Sequence, residues 1–146
     1  MKKIAVLATL LTFAGSSSAL DKADEGVFAL VHQNGQITQK IARLSHSGER
    51  WRIEERKPDG TWQDVTCESA CVLEETSQEQ VVKFLAGTSL EGRKMECVHD
   101  QAFAFCRSGE DPASRAYHTL AFVNDSVIPL KWVRIDETKL PPVGAP

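Results

Sequence analysis

Four cysteines and a nearby histidine are the residues whose types and spacing point most directly to chemistry. Cys67 and Cys71 are separated by three residues, Cys97 stands two positions before His99, and Cys106 follows. Thiolate and imidazole ligands together suit zinc, but this spacing only loosely resembles that of structural zinc sites. In an oxidising compartment the same cysteines form disulfides instead. We therefore predict two disulfides, with no metal site and no cofactor.

The segment 1–19 indicates the compartment in which those cysteines mature. Lys2 and Lys3 precede an apolar run over residues 4–14, and small residues follow as far as Ala19. That order is typical of a bacterial signal peptide, with cleavage expected after Ala19. The run of about eleven residues is shorter than the roughly 20 that cross a bilayer as a helix. We predict a periplasmic or secreted protein that has no transmembrane segment once the signal peptide is removed.

The charge balance narrows the classes of partner. The chain has 17 basic and 20 acidic residues, and its net charge of −3 becomes −5 when Lys2 and Lys3 leave with the signal peptide. A mildly acidic surface argues against binding to nucleic acid or to an anionic membrane. A protein partner in the cell envelope is compatible with it.

Two disulfides among four cysteines allow three connectivities. Pairing of sequence neighbours, Cys67 with Cys71 and Cys97 with Cys106, closes two short loops. Crossed pairing would constrain the unfolded chain more strongly, because it closes longer loops. The spacing permits both, and we favour neighbour pairing because Cys97 and Cys106 can face each other across a hairpin.

His99 and Asp100 are the candidates for catalysis. A nucleophilic triad is defined by geometry, so adjacent residues of these types are compatible with one. However, the sequence has no Gly-x-Ser-x-Gly elbow, and paired cysteines leave no free thiolate. The acidic pairs Glu54–Glu55 and Glu74–Glu75 would point to opposite faces of a strand, so neither pair suits glycoside hydrolysis. A small periplasmic hydrolase that uses His99 and Asp100 is the alternative function.

Arginine and tryptophan side chains mark a candidate surface for recognition. Arg50, Arg52 and Arg56 alternate along one predicted strand and therefore share a face, and Trp62 lies on the next strand. Arg and Trp are enriched at the energetic centres of protein interfaces. The competing interpretation is a solvated sheet face with cross-strand ion pairs. We predict these four residues as the partner-binding surface.

An α+β fold is predicted to position these residues, with a mainly antiparallel sheet of about six to eight short strands. Turn-forming residues separate the segments, with Asn34-Gly35 as the clearest hairpin signal. Pro129 predicts an edge strand or a bulge in the last segment. The strands are expected at 27–33, 36–44, 49–57, 61–65, 94–98, 102–107, 116–123 and 126–135.

One main helix is predicted over residues 77–86. Ser77 and Gln80 fit a capping box, and Val81 and Leu85 belong to an apolar stripe. A helix this short is marginal alone, so the stripe must pack on the sheet.

The predicted organisation is a single disulfide-stabilised domain over residues 27–138. A flexible N-terminus at 20–26 precedes it, and a proline-rich tail at 139–146 follows.

The sequence as a whole predicts a small exported module that binds without catalysing a reaction. An inhibitor or immunity-type partner of an envelope-acting protein is one such function. A structural accessory of an envelope assembly is a further alternative. This prediction depends on the expected export, the small size and the lack of a catalytic set, which is an association with a class of proteins.

Overall fold

The structure, a computed structural model, describes residues 19–66 and 72–140. Within these residues lie nine strands and one α-helix, α1, at Gln78–Leu85. The strands are β1 Gly26–Val31, β2 Ile37–Ser47, β3 Arg50–Arg56, β4 Trp62–Asp64, β5 Glu74–Glu75, β6 Glu96–His99, β7 Phe103–Ser108, β8 Ala116–Val123 and β9 Ser126–Ile135.

All nine strands belong to one sheet with the order β4-β3-β2-β1-β9-β8-β7-β6-β5. Each neighbouring pair is antiparallel. The sheet curls into a half-barrel. An isolated bridge joins Trp51 of β3, the strand next to one edge of the sheet, to Leu73, the residue before the edge strand β5. The curl gives the sheet a concave and a convex face.

Hairpin turns set the register of the sheet. Gly35 between β1 and β2 has φ +85°, and Asn124 and Asp125 between β8 and β9 have φ values of +46° and +61°. The Asn124–Asp125 turn has positive φ at both positions, as a two-residue hairpin turn requires, and Asn and Asp adopt such angles more readily than most residues. In the longer β1–β2 loop only Gly35 has a positive φ at this turn, and its amide donates a hydrogen bond to the His32 carbonyl. The predicted hairpins at these two positions are confirmed.

The main core fills the concave face. Phe28 lies at its centre, in contact with the rings of Phe105 at 5.6 Å and Tyr117 at 4.7 Å between ring centroids. The buried residues of this cluster are Leu20, Phe28, Ala42, Leu44, Trp51, Ile53, Leu73, Val98, Phe105, Tyr117 and Trp132. Because these side chains come from β1, β2, β3, β6, β7, β8 and β9, burial of one shared core stabilises the curl.

Helix α1 covers part of the convex face. Ser77 and Gln80 form the predicted capping box, and Val81 and Leu85 are buried on the sheet together with Met95. The predicted helix is confirmed, with the expected apolar stripe packed on β6, β7 and β8. A second convex cluster contains Val27, Ala29 and Ile41 of β1 and β2.

The predicted number of strands is too low. Nine strands are present in the described residues, and the one that the sequence did not predict is β5, which has two residues and pairs with β6. A strand this short carries no alternation that sequence patterns can detect. The predicted signal peptide as far as residue 18, the Cys67–Cys71 pair and the tail at 141–146 lie outside the described residues.

Candidate functional site

A cavity of about 270 Å³ opens at one end of the concave face. Its walls come from β2, β3, β7, β8 and β9, together with Val65 just after β4. Residues two apart on a strand point to the same side, so each strand contributes an alternating pair. Phe103 and Phe105 of β7 and Leu130 and Trp132 of β9 illustrate this pattern.

The lining of the cavity is mainly apolar. Its apolar members are Ala42, Ile53, Val65, Ala102, Phe103, Phe105, Ala121, Leu130 and Trp132. Lys40, Glu55 and Thr119 are the polar members. A concave, mostly apolar surface with a few polar groups is typical of sites that bind small molecules.

The two charged residues of the lining form a pair. Lys40 Nζ lies 3.6 Å from Glu55 Oε2, and the side chains are 51% and 33% exposed, so the pair is accessible to solvent. The Thr119 hydroxyl has no hydrogen-bond partner in the described part of the chain. Ile128, two residues before Leu130 on β9, is 45% exposed and extends the apolar surface past the cavity.

A polar network centred on the buried carboxylate of Asp24, which we call the basal clamp, occupies the other end of the concave face. It consists of Asp21, Asp24, Arg107, Arg115, Tyr117 and Arg134. Asp24 is fully buried, and its carboxylate accepts hydrogen bonds from Arg107 Nε at 3.0 Å, Arg115 Nη1 at 2.9 Å and Tyr117 Oη at 3.1 Å. A buried carboxylate with this many donors keeps its charge paired, which offsets much of its desolvation cost.

The basal clamp holds the segment 20–26, which the sequence predicts to be flexible. Arg107 Nη2 donates to the Ala19 carbonyl at 3.1 Å, and Arg134 donates to the carbonyls of Ala23 and Glu25. Leu20 is buried in the concave core. These contacts oppose flexibility, and they place the segment across the end of the half-barrel that lies opposite the cavity.

Charge pairing and burial shift pKa values in the basal clamp. The hydrogen bond from Arg115 is the main cause that lowers the pKa of Asp21 below its usual value. Burial raises the pKa of Tyr117, partly opposed by the hydrogen bond that Arg134 donates to it. The network therefore keeps its pairing at neutral pH and weakens when acid protonates Asp21.

The predicted recognition residues do share one surface. We call Arg50, Arg52, Arg56 and Trp62 the Arg–Trp face. Arg56 pairs in register with Trp62, and alternation along β3 places Arg50 and Arg52 on the same convex side. Trp62 packs against the convex cluster of β1 and β2.

Carboxylates lie beside the arginines of the Arg–Trp face and form ion pairs there. Arg52 Nε lies 3.1 Å from Asp64 Oδ2, and Arg43 of β2 pairs with Glu54 at 2.7 Å. The Arg43 guanidinium also lies over the Trp62 ring, 4.3 Å from its centroid. Cross-strand ion pairs therefore account for part of this surface, as the competing interpretation expects.

The candidate catalytic pair is not joined in the structure. His99 Nδ1 lies 2.7 Å from Thr76 Oγ1, whereas Asp100 Oδ1 accepts hydrogen bonds from the backbone amides of Ala102 and Phe103. A catalytic His–Asp pair needs the carboxylate to orient the imidazole. Here the His99 imidazole contacts Thr76, and the Asp100 carboxylate stabilises the turn before β7, so Asp100 does not orient His99.

The predicted Cys97–Cys106 disulfide is confirmed. The two residues are register partners on β6 and β7, with 4.1 Å between their Cα atoms. Cys106 also pairs in register with His118 of β8, which is buried. Burial lowers the pKa of His118, and Arg93 and Lys131 add to the effect. Across residues 19–66 and 72–140, no group of three or more metal-ligating side chains comes together.

The cavity and the basal clamp were not predicted from the sequence. Asp24 and Arg107 are 83 residues apart, and the cavity residues come from five separate strands. The shared face of Ile128, Leu130 and Trp132 was a usable signal for one wall, because these residues alternate on the last predicted strand.

No family model, curated protein or solved structure matches the chain. In the described part of the chain, α1 is far shorter than a membrane-crossing helix, and no other helix is long and apolar enough to cross a membrane.

Proposed function

We propose that the protein is an exported binding module that takes a small apolar ligand into the concave cavity without catalysing its conversion. The observation that supports the proposal is the cavity itself, which offers about 270 Å³ of mostly apolar space on the concave face of the sheet. The cavity is open to solvent at one end of the concave face, so a ligand can enter it, and its mostly apolar lining is typical of small-molecule sites. A space of this size and lining is therefore suited to an occupant.

The curl of the sheet supports the proposal. Phe105 and Trp132 belong both to the cavity lining and to the concave core, so their positions are held by packing. A preorganised apolar site binds with little loss of conformational entropy. The basal clamp covers the opposite end, which directs the approach of a ligand to the end near Lys40 and Glu55.

Fluorescence titration with N-phenyl-1-naphthylamine tests the proposal. The probe is uncharged, and its emission rises in apolar surroundings. We expect saturable binding by the wild-type protein and loss of binding when Ala121→Phe fills the cavity. Val82→Phe is the matched control, because Val82 is 68% exposed on α1, away from the cavity. Equal binding by all three proteins, or no binding by the wild type, would show that the cavity is not the site.

Binding of a protein partner through the Arg–Trp face is the second candidate function. One observation favours it: Arg43, Arg50 and Arg52 share this convex surface with two carboxylates, Glu54 and Asp64. The surface thus has an excess positive charge on an acidic chain, and it includes an aromatic ring. Crosslinking in envelope extract is the test, with Arg50→Glu/Arg52→Glu against the wild type. A band that is lost in the variant supports it, and an unchanged pattern contradicts it.

A further inference from the structure

We infer that the ligand of the cavity is an uncharged, mainly apolar molecule of about ten carbon atoms with one hydroxyl or carbonyl group, for which a medium-chain alcohol is the simplest representative. The inference rests on the proposed function, and it names the chemistry that the same site would select. It is supported by the volume of the cavity, by the charge balance of its lining and by the side chain of Thr119.

The volume sets the size of the ligand. An apolar cavity of about 150 Å³ holds one benzene molecule. The cavity here, at about 270 Å³, is nearly twice as large. It therefore accommodates a ten-carbon chain or a two-ring aromatic molecule, and exposed Ile128 lies where the end of a longer chain would emerge.

The charges of the lining argue against an ionic ligand. Lys40 and Glu55 are paired with each other, so the lining has no net charge. An anionic group would have to replace Glu55 beside Lys40, and a cationic group would have to replace Lys40 beside Glu55. Either exchange breaks a partly solvated ion pair and also moves the charged group of the ligand out of water onto an apolar surface, which costs free energy. An uncharged ligand leaves the pair intact.

Thr119 supplies the polar contact. Its hydroxyl is one of two uncharged polar groups of the lining, the other being the Trp132 indole Nε1–H, and neither has a hydrogen-bond partner in the described residues. A hydroxyl group can both donate and accept a hydrogen bond. A ligand with one hydroxyl or carbonyl would pair with it, whereas a pure hydrocarbon would not use it.

Three compounds with the same chain test the charge preference. Decan-1-ol, decanoate and decylammonium differ only in their head groups, and each is titrated against the complex of the full protein with N-phenyl-1-naphthylamine at pH 7. We expect decan-1-ol to displace the probe at a concentration at least about tenfold lower than either charged compound.

The outcomes separate the inference from the proposed function. Displacement by a charged compound at the same or a lower concentration overturns the inference but leaves the cavity as the site. A probe that binds but yields to none of the three compounds also overturns the inference. A probe that does not bind the wild-type protein overturns the proposed function itself.

Substitution of Thr119 tests the polar contact. Thr119→Val keeps the shape of the side chain and removes the hydroxyl, so we expect decan-1-ol to bind about fivefold more weakly. Naphthalene has no polar group, and its affinity should stay within about twofold, which also shows that the variant is folded. Equal loss for both compounds, or no loss for decan-1-ol, contradicts the assigned role of Thr119.

Discussion

Asp24→Asn is the substitution that most directly probes how the N-terminal segment closes one end of the half-barrel. The change keeps the size and shape of the side chain but removes the charge and replaces one acceptor oxygen by a donor group. In the basal clamp, the Asp24 carboxylate faces the guanidinium groups of Arg107 and Arg115. Both side chains are only 5% exposed. An amide group in that position leaves two buried cations sharing Asp21 as their remaining carboxylate.

The expected loss of stability in Asp24→Asn follows from the burial of the Asp24 carboxylate and its arginine partners. Breaking a buried charge pair by removing one partner destabilises a protein by about 3–5 kcal/mol. Asp24 accepts two hydrogen bonds from arginines, and each hydrogen bond to a charged group contributes about 1.5–3 kcal/mol to stability. Because both bonds share the desolvation cost of one carboxylate, their combined loss also falls in the range of about 3–5 kcal/mol. For a domain of this size, 1 kcal/mol corresponds to about 4 °C in Tm, which predicts a loss of about 12–20 °C.

Urea denaturation followed by tryptophan fluorescence measures the free energy of unfolding, and hydrogen exchange reports separately on residues 20–25. Asp125→Asn is the control, because Asp125 is exposed in the β8–β9 turn with φ +61°, a conformation that Asn also accepts. We expect the control to lie within about 0.5 kcal/mol of the wild type. A loss below about 1 kcal/mol for Asp24→Asn, with unchanged exchange, would refute the closing role of the basal clamp.

Three further predictions follow from the rest of the structure. Because the pKa of His118 is lowered in the folded state, the unfolded chain takes up a proton first as pH falls. The free energy of unfolding should therefore decrease below about pH 6.5, by up to about 1.4 kcal/mol per pH unit. The substitution His118→Gln should remove this decrease. Replacing both Cys97 and Cys106 by Ala should lower the free energy of unfolding in urea by about 2–3 kcal/mol. If both predicted bridges form, protein matured under oxidising conditions should weigh about 4 Da less before reduction than after it, and a difference of 2 Da would contradict the Cys67–Cys71 bridge. Gly26→Ala should lower stability by about 1–3 kcal/mol, because Gly26 has φ +155° and a Cβ atom there would meet Arg134 Nη1; an unchanged midpoint would contradict this.

Local signals in the sequence predicted local structure well. Gly35 and the pair Asn124-Asp125 located two hairpins, because few residues adopt positive φ at low cost. Ser77 and Gln80 located the start of α1, since a capping box satisfies amide groups that would otherwise lack partners. In each case the physical cause lies within a few residues of its effect.

Pro129 shows where local reasoning failed. Its missing amide proton predicted an edge strand or a bulge, but β9 lies in the middle of the sheet, between β1 and β8. The edge prediction is wrong for the strand as a whole. The register explains how proline fits, because β1 pairs only with Trp132–Ile135 of β9 and Pro129 lies beyond that stretch. Whether a strand has two neighbours depends on the whole sheet and is not encoded in the strand itself.

The candidate site could not be predicted from the sequence, because it also depends on how distant strands come together in the sheet. Leu130 and Trp132 share a face in any strand, but only the curl of the sheet brings that face opposite Ile53 and Phe103. The basal clamp joins Asp24 to residues more than 80 positions later. Single-sequence periodicity contains no information about such long-range contacts.

The proposed function depends above all on occupancy of the concave cavity by a ligand. A titration of the ¹⁵N-labelled protein with decan-1-ol, followed by amide chemical shifts, tests this most directly. We predict saturable shifts that centre on Ala42, Ile53, Phe105, Thr119 and Leu130, with little change at the basal clamp or the Arg–Trp face. Shifts that centre on the convex face, or no saturable shifts at all, would contradict the assignment of the cavity as the binding site.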